Sequence, residues 1–130
     1  VTEALGTWRP LLRHDGSVAF TEPVWLVDSP PREIYDGGAS EYPAISDRAG
    51  VEARVEAASF RTVQSFVLPA SAWWDEYYRP MQDRVAGLRE RLPDDPIANE
   101  VVTTAETEID LFRRFSDCYS YEFLVVQPTD

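Results

Sequence analysis

The chain has no lysine, and all 12 of its basic residues are arginine. A Schiff-base lysine is therefore excluded. Cys118 is the single cysteine, so no internal disulfide forms and a thiolate metal site is not credible. Beside Tyr119 it reads as a small core residue rather than a nucleophile. His14 is the single histidine. A two-histidine metal site cannot form, and any triad would have to be built on this one residue. No metal site is expected. No Gly-x-Gly-x-Gly occurs, and the one pair of adjacent glycines, Gly37-Gly38, follows a proline loop. No apolar run reaches the roughly 18 residues of a membrane span, and no signal peptide is visible. The expectation is a soluble, cytoplasmic chain. Its first residue is Val1 rather than Met, which suggests an upstream segment or a removed tag.

What the sequence has is acid and aromatic surface. The net charge is −11 over 130 residues, with 12% aromatics. That charge repels a phosphate backbone and an anionic bilayer, so neither nucleic acid nor membrane is expected as a partner. The length suits one domain with a real core. Leu5, Trp8, Leu11 and Leu12 are spaced as a short, ragged helix, and His14-Asp15-Gly16 marks a turn. Ser17 to Val27 reads as a strand covered on both faces. Asp28 to Asp36, with Pro30-Pro31, reads as a loop that Gly37 and Gly38 extend, and a polar helix is expected from Pro43 to about Ala58. Phe60 to Leu68 alternates as a second strand. From Ser71 or Ala72 an amphipathic helix carries Trp73, Trp74, Tyr77, Tyr78, Met81, Val85, Leu88 and Leu92 on one broad face. Pro93-Asp94-Asp95-Pro96 breaks it. A second helix follows from Ile97 to Phe115, and Tyr119, Tyr121, Phe123 and Val125 alternate as a closing strand. This is an α/β layered order with about three strands.

Four passages together resemble the C-terminal half of a class I S-adenosylmethionine-dependent methyltransferase of small-molecule type. Trp8-Arg9-Pro10-Leu11-Leu12-Arg13-His14-Asp15-Gly16, running into Val18-Ala19-Phe20, is similar to the helix, glycine turn and fifth strand, with His14-Asp15-Gly16 where Pro-Gly-Gly is usual. Pro30-Pro31, Glu41-Tyr42-Pro43 and Phe60-Arg61-Thr62-Val63 resemble the loop, helix and sixth strand. Leu68-Pro69-Ala70-Ser71-Ala72-Trp73-Trp74 with Tyr77-Tyr78-Arg79-Pro80 looks like a small-molecule insertion, at about 70–95 of a single domain. Glu108-Ile109-Asp110-Leu111-Phe112-Arg113-Arg114 and Tyr119-Ser120-Tyr121-Glu122-Phe123 resemble the last helix and the antiparallel seventh strand. The resemblance implies a partial Rossmann-like sheet in the order first, third, second strand. It implies S-adenosylmethionine as cofactor, yet no motif here supports that: the Gly-rich turn and the acidic ribose ligand are both missing. The first strand would lack its outer neighbour, and such an edge invites pairing with another chain. A homo-oligomer, a heteromer or a missing N-terminal segment is expected.

The candidate residues each have a plain structural alternative. Glu22 sits at the carboxyl edge of the first strand, where α/β folds place ligands, as a substrate-orienting group or base, or as a solvated carboxylate. Trp25 caps the same pocket or belongs to the core. His14 is a general base or a surface histidine, at the end opposite Glu22. Glu41 and Tyr42 close over substrate or simply begin a helix. Trp73, Trp74, Tyr77 and Tyr78 line a pocket for a flat or apolar molecule, or form a packing face. Asp75–Arg79 and Asp110–Arg114 are spaced as helix-surface ion pairs. Three readings stay open. One is the substrate-binding half of a small-molecule methyltransferase whose cofactor half is missing or lies on another chain. Another is a non-catalytic or repurposed interaction module assembled as a dimer. The last is an enzyme of other chemistry built on Glu22 or His14.

Overall fold

The computed structural model describes residues 1–129, with the side chains of residues 37–39 outside that description. The chain divides into two compact units, Val1–Leu68 with the segment from Asp117 onward, and Pro69–Ser116.

The first unit is a sheet with helices. It holds α1 (Thr2–Trp8), a 3-10 turn at Arg9–Leu11, β1 (Val18–Trp25), α2 (Arg32–Glu41), β2 (Ser46–Asp47), α3 (Arg48–Ala57), β3 (Phe60–Val67) and β4 (Tyr119–Pro128). The strand order is β2-β1-β4-β3. Strand β4 runs antiparallel to both neighbours, Val18 to Trp25 facing Val126 to Tyr119 on one side and Phe60 to Val67 facing Pro128 to Glu122 on the other. The order β1-β4-β3 is the one the resemblance implies. Alternation along β4 sends Ser120, Glu122, Leu124 and Val126 to the buried face. There Val24, Phe60, Leu124 and Val126 pack with Leu5 of α1 and with Val51 and Val55 of α3, all at most 1% exposed. Burying each such side chain contributes about 1.5–3 kcal/mol. On the opposite face the rings of Phe66 and Phe123 stack at 5.1 Å.

Three expectations between residues 28 and 58 are corrected. The loop from Asp28 to Asp36 ends early, because α2 starts at Arg32. The carbonyl of Pro31 accepts from the N–H groups of Ile34 and Tyr35, so the proline pair launches a helix. The irregular stretch expected at Gly37 and Gly38 is likewise corrected, because both lie inside α2. The long helix from Pro43 shrinks to α3, because Asp47 caps it, accepting from the Gly50 N–H at 2.8 Å. Ahead of the cap, Ser46 and Asp47 pair in parallel with Val24 and Trp25, forming a strand with no sequence signal.

The second unit is helical: α4 (Ala70–Trp73), a π turn at Trp74–Tyr78, α5 (Arg79–Arg91) and α6 (Pro96–Phe115). The amphipathic helix expected from Ser71 to Leu92 is present but widened at its aromatics, where the Arg79 N–H reaches back to the Trp74 carbonyl. Asp95 caps α6 through the Ala98 N–H at 2.9 Å. The spaced ion pairs form, Arg79–Asp75 at 3.0 Å and Arg114–Asp110 at 3.3 Å. Exposed pairs of this kind contribute about 0.3–0.5 kcal/mol.

Gly50 leaves room for β2. A Cβ there would lie 2.9 Å from Ser46 Cβ and 2.7 Å from its Oγ. Gly50→Ala should therefore lower stability by about 1 kcal/mol or more in urea unfolding, the crowding outweighing the gain in helix propensity. Neutral or stabilising behaviour would contradict this packing.

Candidate functional site

The carboxyl end of β1 gathers the chemistry of the first unit. Glu22 stands directly opposite Glu122 across the β1–β4 pair, so both carboxylates belong to the helix-covered face. Glu122 is 3% exposed. Its Oε1 accepts from Arg48 Nε at 2.9 Å, and the same guanidinium donates to Ser65 Oγ at 3.2 Å. Arg48 is the first residue of α3, so this ion pair ties the start of that helix to the sheet. Glu122 Oε2 is buried without a hydrogen-bond partner.

The other face carries aromatics. Trp25, 8% exposed, stacks on Tyr35 of α2 at 6.0 Å and meets Tyr119 edge-on at 6.5 Å. The hydroxyls of Tyr42 and Tyr121 lie 3.3 Å apart. Burial raises the Tyr121 phenol, the hydrogen bond with Tyr42 raises it further, and the neighbouring charges of Tyr42, Glu22 and Glu41 complete a shift from 10.0 to about 12. Of the residues read from the sequence as candidates, Trp25 and Tyr42 each meet a tyrosine of β4 on this face, whereas Glu22 lies on the helix-covered face and Glu41 ends α2.

His14 lies at the other end. It pairs with the adjacent Asp15 at 3.0 Å, both largely exposed, and borders a hollow with Arg61, Gln127 and Thr129. The four remaining candidates belong to the second unit. There Trp73 and Tyr78 pack with Phe112, and the Tyr78 and Phe112 rings stack at 4.4 Å. Tyr77 meets Tyr78 edge-on at 5.0 Å, and Tyr78 donates to Glu108 at 3.3 Å. Trp74 lies under the Arg113 guanidinium at 4.9 Å. Sequence reasoning missed Arg48, Tyr35, Tyr119, Tyr121 and Glu122 as site residues. Of these, Glu122 left a signal: it interrupts an otherwise apolar alternating strand.

The residues described do not fit S-adenosylmethionine by themselves. The turn that follows β1 contains Pro30 and Pro31 and no glycine, so its backbone offers no close-approach cradle. Among the described residues no group of three or more His, Cys, Asp or Glu could hold a metal ion. Nor is any helix among them long and apolar enough to cross a membrane.

Two measurements check this geometry. Arg48→Met should cost about 2–3 kcal/mol, below the roughly 3–5 kcal/mol of breaking a fully buried pair because Arg48 is half exposed, and Glu122→Leu added to it should recover most of the loss. Equal stability of Arg48→Met and the parent would show that Glu122 does not depend on it. Tyr42→Phe should bring the Tyr121 ionisation down from about 12 toward 10 in an ultraviolet titration. In the parent, the stability linked to this raised phenol is fully present below pH 10 and is lost as pH rises through about 12.

No protein-family model matches the sequence, and no curated protein does. Solved structures do match. A SAM-dependent methyltransferase from Geobacter sulfurreducens, in complex with S-adenosyl-L-homocysteine, superposes with a TM-score of 0.75 at 18% identity, over 99% of this chain and 52% of that one. A SAM-dependent methyltransferase from Thiobacillus denitrificans, in the same complex, gives 0.73 at 14% identity over the same shares. A phosphoethanolamine N-methyltransferase from Haemonchus contortus gives 0.69 at 10% identity, over 100% of this chain and 30% of that one. The chain spans about half the length of the first two. It has the fold of about half of an S-adenosylmethionine-dependent methyltransferase, Rossmann-like and open-sheeted, in keeping with a partial C-terminal half.

Proposed function

We propose that this chain is the substrate-binding half of a methyltransferase acting on a small molecule, with the cofactor-binding half supplied by another segment or chain. One observation carries the reading: Trp25 and Tyr42 meet Tyr119 and Tyr121 on one face at the carboxyl end of β1, in a chain that has half the fold and no glycine cradle. Ligands of open α/β sheets bind outside the carboxyl ends of the strands. Methyl transfer asks the protein mainly to hold an acceptor in line and exclude water. Trp25 supplies an apolar wall, and the Tyr42 and Tyr121 hydroxyls orient a polar substrate group.

The test is calorimetric titration with S-adenosylhomocysteine, first of the chain alone and then of the chain co-expressed with the reading frame immediately upstream. The expected result is no binding alone and micromolar binding in the combination, with methyl transfer to a small acceptor. Micromolar binding by the chain alone, or none by the combination, would overturn the division into halves.

A repurposed interaction module is the second reading, favoured by the edge of β1. Strand β2 covers that edge only at Val24 and Trp25, leaving Val18 to Pro23 without a strand on that side among the described residues. A stable dimer in light scattering, with no cofactor binding in either preparation, would favour it.

A further inference from the structure

We propose that the hollow at the opposite end of the sheet, where β1 and β3 begin and β4 ends, binds a small carboxylate that carries a hydroxyl or ammonium group on the neighbouring carbon. None of its residues belongs to the site of the preceding reading, and the two stand or fall separately.

The hollow has a volume of about 380 Å³, and its lining includes His14, Asp15, Arg61, Gln127 and Thr129. That is the small end of the range for ligand pockets, roughly 300–1,000 Å³. Its polar groups are held in place. Gln127 Nε2 donates to Ser17 Oγ at 3.1 Å, and Gln127 Oε1 accepts from Arg61 Nη2 at 2.6 Å. This relay across the ends of three strands fixes the guanidinium before any ligand arrives, so little ordering is left to be done on binding. Arg61 has no carboxylate partner among the described residues, since the group it bonds is a neutral amide. Arg9 adds a second unmatched charge at the rim: it donates to the carbonyls of Ser59 and Thr129, at 2.7 and 2.6 Å. In a chain of net charge −11, two guanidiniums bonded only to neutral oxygens at one place favour an anion there. The planar fork of an arginine matches the two oxygens of a carboxylate.

Asp15 sets the second requirement. It lines the same hollow as Arg61 without pairing to it. Its Oδ1 meets His14 Nδ1 at 3.0 Å, and its other oxygen takes no donor among the described residues. A ligand made of acceptors alone, such as a phosphate dianion, would be repelled by this carboxylate. A donor beside the ligand's own carboxylate turns that repulsion into a hydrogen bond. A hydroxyl and an ammonium each supply one, and both leave the carboxylate free for Arg61.

The test uses the single histidine, whose ring C–H signals in proton NMR report on this hollow. Lactate, alanine, propionate and lactamide are titrated into the purified chain at constant pH and ionic strength. Lactate, alanine or both should shift the His14 signals saturably, with a Kd on the order of millimolar for so small a ligand. Lactate alone would identify the donor as a hydroxyl, alanine alone as an ammonium. Propionate lacks the donor and lactamide lacks the charge, and each should bind about tenfold more weakly. Arg61→Gln should abolish the saturable shift. Should that variant lose its circular-dichroism signature, Asp15→Ala carries the test: the side chain is 97% exposed, and its loss should erase the preference over propionate. Equal shifts from all four probes, no saturable shift, tighter binding of inorganic phosphate, or an undiminished preference in the folded variants would overturn the inference. No cofactor enters these titrations, so their failure is distinct from a failure of the cofactor titration.

Discussion

The seating of β4 between β1 and β3 is the constraint on which the first unit depends. Residues 119–128 come last in the sequence, yet they hydrogen-bond to strands that begin at Val18 and Phe60. Without β4, β3 would have no strand partner and β1 only the two-residue β2, and Leu124 and Val126 would be missing from the core around Leu5, Val51 and Val55. Pairing at such sequence separation demands loop closure before any reward, so the unit forms as a whole or not at all. The helical segment Pro69–Ser116 is inserted in the connection between β3 and β4 and folds around its own aromatics.

Strand β4 also brings the acid to the site. Its alternation sets Leu124 and Val126 in the core and leaves Glu122 at the next position of the same row. A carboxylate there is tolerated because Arg48, delivered by the first turn of α3, reaches its Oε1. The other face of the same strand presents Tyr119 and Tyr121 to Trp25 and Tyr42. One strand therefore provides both the charge and the phenols at this end, from adjacent residues pointing to opposite faces. The fold and the site are not separable pieces of the molecule.

Much of this was legible in the residues. Period-2 alternation at Phe60 to Leu68 and Tyr119 to Val125, and the break at Pro93-Asp94-Asp95-Pro96, locate strands and helices that the structure contains, with β4 extending to Pro128. What failed was short and cooperative. Ser46-Asp47 becomes a strand only because β1 is alongside, and α2 starts at Arg32 because Pro31 offers a carbonyl to two following N–H groups. The π turn at Trp74–Tyr78 leaves no trace in the apolar pattern, since the same aromatics suit an ordinary helix.

By itself the sequence determined the acid excess, the absence of a glycine cradle, the α/β order and the position of Glu22 and Trp25 near a strand end. Those follow from composition and local periodicity, which need no partner. Only the tertiary structure decided that Glu122 faces Glu22, that Arg48 neutralises it, and that Tyr42 meets Tyr121. The reason is distance along the chain. Tyr42 and Tyr121 are separated by 79 positions, and Arg48 and Glu122 by 74, and no local rule links residues so far apart until β4 pairs with β1 and sets their register.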